Sequence, residues 1–129
     1  MSKYGISKNV DYGYEEAVEK TRQALAEEGF GILTEIDVKE TLKKKLDKDF
    51  RKYIILGACN PPFAFEALSN ELEIGLLLPC NVIVYENDEG GTTISAIDPI
   101  VAMGFVVNPS VEAVATNVRT KLDKVINSL

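Results

Sequence analysis

Tyr53-Ile-Ile-Leu-Gly-Ala-Cys-Asn-Pro-Pro62 is the stretch on which the fold turns. Tyr53 to Ala58 is too continuously apolar for an exposed strand, and its composition fits a strand buried on both faces. The chemistry then changes within two residues. Asn60 is a favoured helix N-cap and Pro61 suits the first helical position, so a helix is predicted from about Pro61 to Ser69, with Phe63, Ala67 and Leu68 inward. A buried strand that ends in Cys59 and turns directly into a helix start is the centre from which the rest can be read.

Working back, Phe30, Ile32, Thr34 and Ile36 alternate with Gly31, Leu33 and Glu35 and predict a strand. Asp37 followed by Glu40 has capping-box spacing, so Val38, Thr41, Leu42 and Lys45 belong to a short helix that carries a basic run. Before them, Ala17, Val18, Thr21, Leu25 and Glu28 keep helical spacing behind the acidic Glu15 and Glu16, and Gly29 is the stop. Tyr4 and Ile6 open the chain with a short strand. Working forward, Leu76 to Pro79 leads into a strand over Cys80 to Glu86, with Cys80, Val82 and Val84 on one face. Asn87-Asp-Glu-Gly-Gly91 is a hairpin loop and Thr92 to Ile97 its return strand. Asp98-Pro99 breaks that strand, and Ile100 to Val107 reads as a short helical turn or buried connection. Val111, Val114, Val118, Leu122, Val125, Ile126 and Leu129 form the stripe of a long last helix, with Ser110 as its cap.

The order β-α-β-α-β-α-β-β-α predicts an α+β fold with helices packed on a largely antiparallel sheet. No linker or long-period repeat divides residues 1–129, so a single domain is expected. The chain has 129 residues, 46% of them hydrophobic and 26% charged. At that length a domain buries roughly two-thirds of its unfolded surface and needs neither a disulfide framework nor a structural metal. Histidine is absent, which excludes His-based nucleophile pairs, His-ligated zinc and a His general base. The net charge of -6 argues against a nucleic-acid partner, whose phosphates need clustered Lys and Arg. The first residues hold no secretory h-region, and the longest apolar stretch, Ile74 to Tyr85, is broken by Pro79 and Asn81. It falls short of the roughly 20 residues of a membrane helix, so a cytoplasmic location without a membrane partner is expected. Thiols there are reduced.

Gly29-Phe-Gly-Ile-Leu-Thr-Glu-Ile-Asp-Val38, Lys45 to Phe50, Leu56-Gly-Ala-Cys-Asn-Pro61 and Ile74-Gly-Leu-Leu-Leu-Pro-Cys-Asn-Val82 together resemble a bacterial and archaeal family, domain of unknown function 302. The likeness covers nearly the whole chain. It implies a compact α+β domain that forms a homodimer, and it implies no reaction.

Cys59 is the leading candidate for chemistry, because a thiol just before a helix N-terminus has its thiolate favoured by the helix dipole. The plain alternative is a small buried residue filling the strand-helix corner, and no basic partner lies nearby in sequence. Cys80 begins an alternating strand and reads first as a core thiol. The two cysteines do not form Cys-x-x-Cys. Glu35 lies mid-strand beside Leu33; under cover it would be an acid, base or ligand anchor, and in solvent an edge charge. Asp37 is explained by capping, Asn60 by capping or by holding a ligand group at the helix start, and Asp98 by its turn. Two thiols with Glu35 and Asp98 give only a weak sulfur-oxygen metal pattern, and no metal is expected. The run from Lys39 to Lys52 is the solvated face of a helix or a device for steering an anion.

Three functions stay open. One is a small-ligand-binding homodimer with its site at Cys59, Asn60 and Pro61, to which Glu35 and Cys80 contribute. Another is a thiol-dependent redox protein using Cys59 with Cys80 as resolving thiol. The third is a structural or interaction module. No cofactor is indicated, and Pro99 to Val107 is the expected dimer contact.

Overall fold

The computed structural model describes residues 2–129. Its elements are β1 (Gly5–Val10), α1 (Tyr14–Glu27), β2 (Gly31–Asp37), α2 (Val38–Leu46), β3 (Tyr53–Cys59) and α3 (Pro61–Asn70). A 3-10 helix (Leu72–Leu77), β4 (Cys80–Glu86), β5 (Thr92–Ile97), α4 (Pro99–Ala102) and α5 (Pro109–Asn127) complete the chain. The strands form one sheet in the order β1-β5-β4-β3-β2, every neighbouring pair antiparallel. The protein is thus α+β, in the predicted order with the 3-10 helix and α4 added.

Alternation decides what each strand buries. Leu56 and Ala58 of β3, Val82 and Val84 of β4 and Ile94 and Ala96 of β5 point to one face and are enclosed by α1 and α5. The stripe on α5 closes this core, with Val111, Val114, Val118, Leu122, Val125 and Ile126 all buried. Gly29, at φ 84°, ends α1 in the left-handed region open to glycine. No described helix is long and apolar enough to cross a membrane.

Four local readings are corrected. β3 is fully buried only over Leu56, Gly57 and Ala58; its other face meets a solvent-lined trough, so one covered face was enough to demand the apolar run. The cap of α5 is Asn108, whose side chain accepts from the Ser110 amide at 3.0 Å, two residues earlier than the predicted Ser110. Leu68 lies on the rim of its helix, 37% exposed. Leu76 belongs to the 3-10 helix rather than to an approach to β4.

Candidate functional site

At the end of β3 remote from α2, the turn into α3 borders a cavity of about 290 Å³. Its walls come from Phe30, the β3-α3 turn, α3, the 3-10 helix and α5, and no charged side chain lines it. Phe63, Ala64 and Ala67 supply the α3 wall, Leu78 and Pro79 the approach to β4, and Met103, Val114 and Val118 the far side. Cavities that are mostly apolar with one or two polar groups are the usual form of small-molecule sites.

Cys59 is half-buried and Cys80 buried, and both line this cavity. Burial pushes the Cys80 thiol up to about 11, with the neighbouring Cys59 adding to the rise. Cys80 therefore stays protonated at neutral pH and is a poor nucleophile. Asn60 occupies the N-cap position of α3, yet its side chain makes no cap hydrogen bond. Instead Asn60 Nδ2 donates to the Glu28 carbonyl at 3.2 Å. The predicted capping role is thus replaced by a tie between the C-terminal end of α1 and the turn, which uses an orphan helix carbonyl. Pro61 stands at the first helical position, where its missing N–H costs no hydrogen bond.

Glu35 is placed elsewhere. A β-bulge shifts the register between Ile32, opposite Ala58, and Thr34, opposite Gly57. The extra residue is Leu33, so Glu35 shares the helix side with Ile32 and forms an ion pair with Arg22 of α1. Its side chain is 46% exposed and does not line the cavity. Leu33 is the residue that does; strict alternation could not have found it, because one inserted residue inverts the parity. Asp98 accepts from the Ile100 amide at 2.9 Å and meets Arg119 at 3.1 Å. Among the described residues no three Cys, Asp or Glu gather as metal ligands.

A second depression, about 660 Å³, lies on the opposite sheet face. Part of its polar floor is internally satisfied, with Ser7 Oγ to Ser95 Oγ at 2.6 Å and Thr93 Oγ1 donating to Asn9 Oδ1 at 2.7 Å. Tyr53 and Tyr85 stack on each other, centroids 5.3 Å apart, which turns their ring faces inward on the pair. The trough offers a ligand less than the thiol-lined cavity does.

An expected outcome follows from the Asn60 tie. Asn60→Ala removes one side-chain hydrogen bond and leaves the Glu28 carbonyl without it, for a loss of about 1 kcal/mol in urea denaturation. A loss below 0.3 kcal/mol, on that same rough scale of hydrogen-bond energies, would show that the tie is idle.

Similarity to known proteins agrees with this architecture. No match was found among curated proteins. The crystal structure of an uncharacterized conserved protein DUF302 from Bacillus stearothermophilus superposes with a TM-score of 0.89 at 30% identity, covering 98% of this chain and 98% of that one. The family described as domain of unknown function DUF302 matches residues 6–129, so the cavity and the Cys59 turn lie within the matched span, and the chain belongs to that family.

Proposed function

We propose that this protein is a cytoplasmic, small-ligand-binding homodimer whose site is the cavity beside Cys59, Asn60 and Pro61. The observation that carries the reading is the cavity's lining: apolar walls, two thiols, and one amide already engaged with Glu28. With no charge inside, an ionised ligand group buried there would lack a partner, so the ligand is neutral and apolar. A volume of about 290 Å³ suits a one-ring or small fused two-ring aromatic compound or a short branched hydrocarbon. Phe105 and Val107, 73% and 96% exposed, support an assembly contact near the segment predicted for it.

Indole is a suitable probe. Titration into the isotope-labelled protein should shift the amide signals of Cys59, Ala64 and Leu78 saturably, and Ala64→Phe, which fills the half-buried α3 wall, should abolish the shifts. Absence of saturable shifts in the wild type at millimolar indole would refute the reading. The redox alternative has less support, since a protonated Cys80 resolves a mixed disulfide slowly. Native alkylation should accordingly spare Cys80 at pH 8 and reach it only on unfolding, as mass spectrometry of labelled peptides would show.

A further inference from the structure

Two surfaces of this chain are each left without a counterpart. The first is the C-terminal end of α2, a helix none of whose nine residues is fully buried. Asp37 caps it and Lys43 pairs with Asp47 and Asp49. Lys44, Lys45 and Lys48 form no ion pair among the described residues, and Leu46 between them is 63% exposed. It is a basic helix that rests Val38 and Leu42, both half-buried, against β2 and β3 and leaves Leu46 and these lysines exposed at its C-terminal end.

The second surface surrounds the cavity mouth. Leu33, Phe65, Leu72, Leu76 and Phe105 are 68 to 82% exposed. They form one patch: Leu33 and Leu68 share the cavity wall, the 3-10 helix packs on α3, and Asn108 Nδ2 donates to the Asn70 carbonyl, which pins the Phe105 segment beside it. Large side chains exposed to this degree present on the order of 100–200 Å² each. Together they approach the roughly 800 Å² per partner of a stable interface and exceed the largest patch of an ordinary monomer. Glu66 and Glu73 stand exposed on its rim. From Tyr53 to Val118 the sequence holds no Lys or Arg at all, so the patch asks for a basic partner and repels an anionic membrane.

The edge strand β2 joins the two surfaces. It begins beside Cys59 at the cavity end and finishes at Asp37, the cap of α2, and no strand pairs with its outer side. Setting two β2 edges antiparallel about a two-fold axis places α2 of each copy at the cavity mouth of the other. We propose that a second copy of this chain docks in this way, its α2 laying Leu46 over the partner's cavity mouth and its lysines against Glu66 and Glu73. The contact is reciprocal and isologous. It rests on the ligand-binding reading only in that the partner's α2 supplies the missing lid of the same cavity.

Charge reversal tests it. The full chain should elute as a dimer by light scattering at 20 micromolar or so in low salt and loosen as screening rises. Lys44→Glu/Lys45→Glu and Glu66→Lys/Glu73→Lys should each be folded by circular dichroism and monomeric. Their equimolar mixture should regain the dimer, because both reciprocal contacts then pair opposite charges. Each lone variant should bind indole at least about tenfold more weakly than the wild-type dimer. A monomeric wild type, a dimer indifferent to either reversal, or a mixture that stays monomeric would overturn the proposal. Undiminished indole binding by the monomeric variants would overturn the lid while leaving the ligand site standing. A dimer that obeys the charge rules yet ignores indole would leave the docking standing and remove the ligand reading.

Discussion

Leu122→Asp should leave the domain largely unfolded at 25 °C. Leu122 is fully buried at the centre of the α5 stripe, against the sheet. The substitution forfeits the burial of a large aliphatic chain, about 2–5 kcal/mol in comparable truncations. It also puts a carboxylate in an apolar layer, where it must go unpaired or take up a proton. The sum is comparable with the whole stability of a domain this size, roughly 5–15 kcal/mol. Chemical denaturation should show loss of the folded baseline near neutral pH, with partial recovery in mild acid as the carboxyl protonates. The exposed neighbour Lys124, replaced by Ala, serves as the control and should shift stability by less than about 0.5 kcal/mol. A cooperative, wild-type-like transition for Leu122→Asp would mean that α5 does not seal the core.

Gly57→Val should also destabilise the domain clearly, for a reason no apolar pattern announces. A Cβ built at Gly57 would stand 2.1 Å from Thr34 Oγ1 and 2.8 Å from Pro79 Cγ. Gly57 faces Thr34 across the β2-β3 pair and Asn81 across the β3-β4 pair, so it lies inside the ladder. The backbone has no need of left-handed freedom there; what glycine provides is room for two neighbours to cross the strand. Valine must push β2 or the Pro79 segment away, an overpacking cost of about 1–3 kcal/mol or more. Because Pro79 lines the cavity, indole affinity should fall along with the melting temperature. Pairing Gly57→Ala with Thr34→Ala should recover part of the loss, and no recovery would assign the strain to Pro79 instead.

The sequence was most legible where one residue type has one dominant physical role. Asp37 does accept from the Glu40 amide at 3.0 Å, Gly29 does end α1 at positive φ, and the α5 stripe is buried along its length. Each depends on neighbours within a turn or two. Legibility failed where a distant partner decides the outcome. Asn60 has every local reason to cap α3, and the Glu28 carbonyl, 32 positions away in sequence, takes its side chain instead. Glu35 reads equally well from sequence as covered or exposed, and Arg22 of α1, which pairs with it, decides the outcome. The cavity shows the same limit. Cys59, Asn60 and Pro61 marked the turn, but Phe30, Met103 and Val118 reach it through tertiary packing alone. The 3-10 helix over Leu72–Leu77 escaped because only Ile74 of its four apolar residues is buried, while Leu72 and Leu76 are exposed, so no buried stripe marks it.

The bulge in β2 has an adaptive consequence. Leu33 is the one position of that strand left out of the ladder pairing, and it borders the cavity. On the proposed ligand-binding reading its size therefore bears on how open the site is, while the strand's hydrogen bonds are indifferent to what the residue is. Stability and selectivity are uncoupled at this point. A glycine there would widen the gate and a tryptophan would shut it, each with little effect on folding, so a lineage could exchange one guest for another by single substitutions without passing through an unstable intermediate.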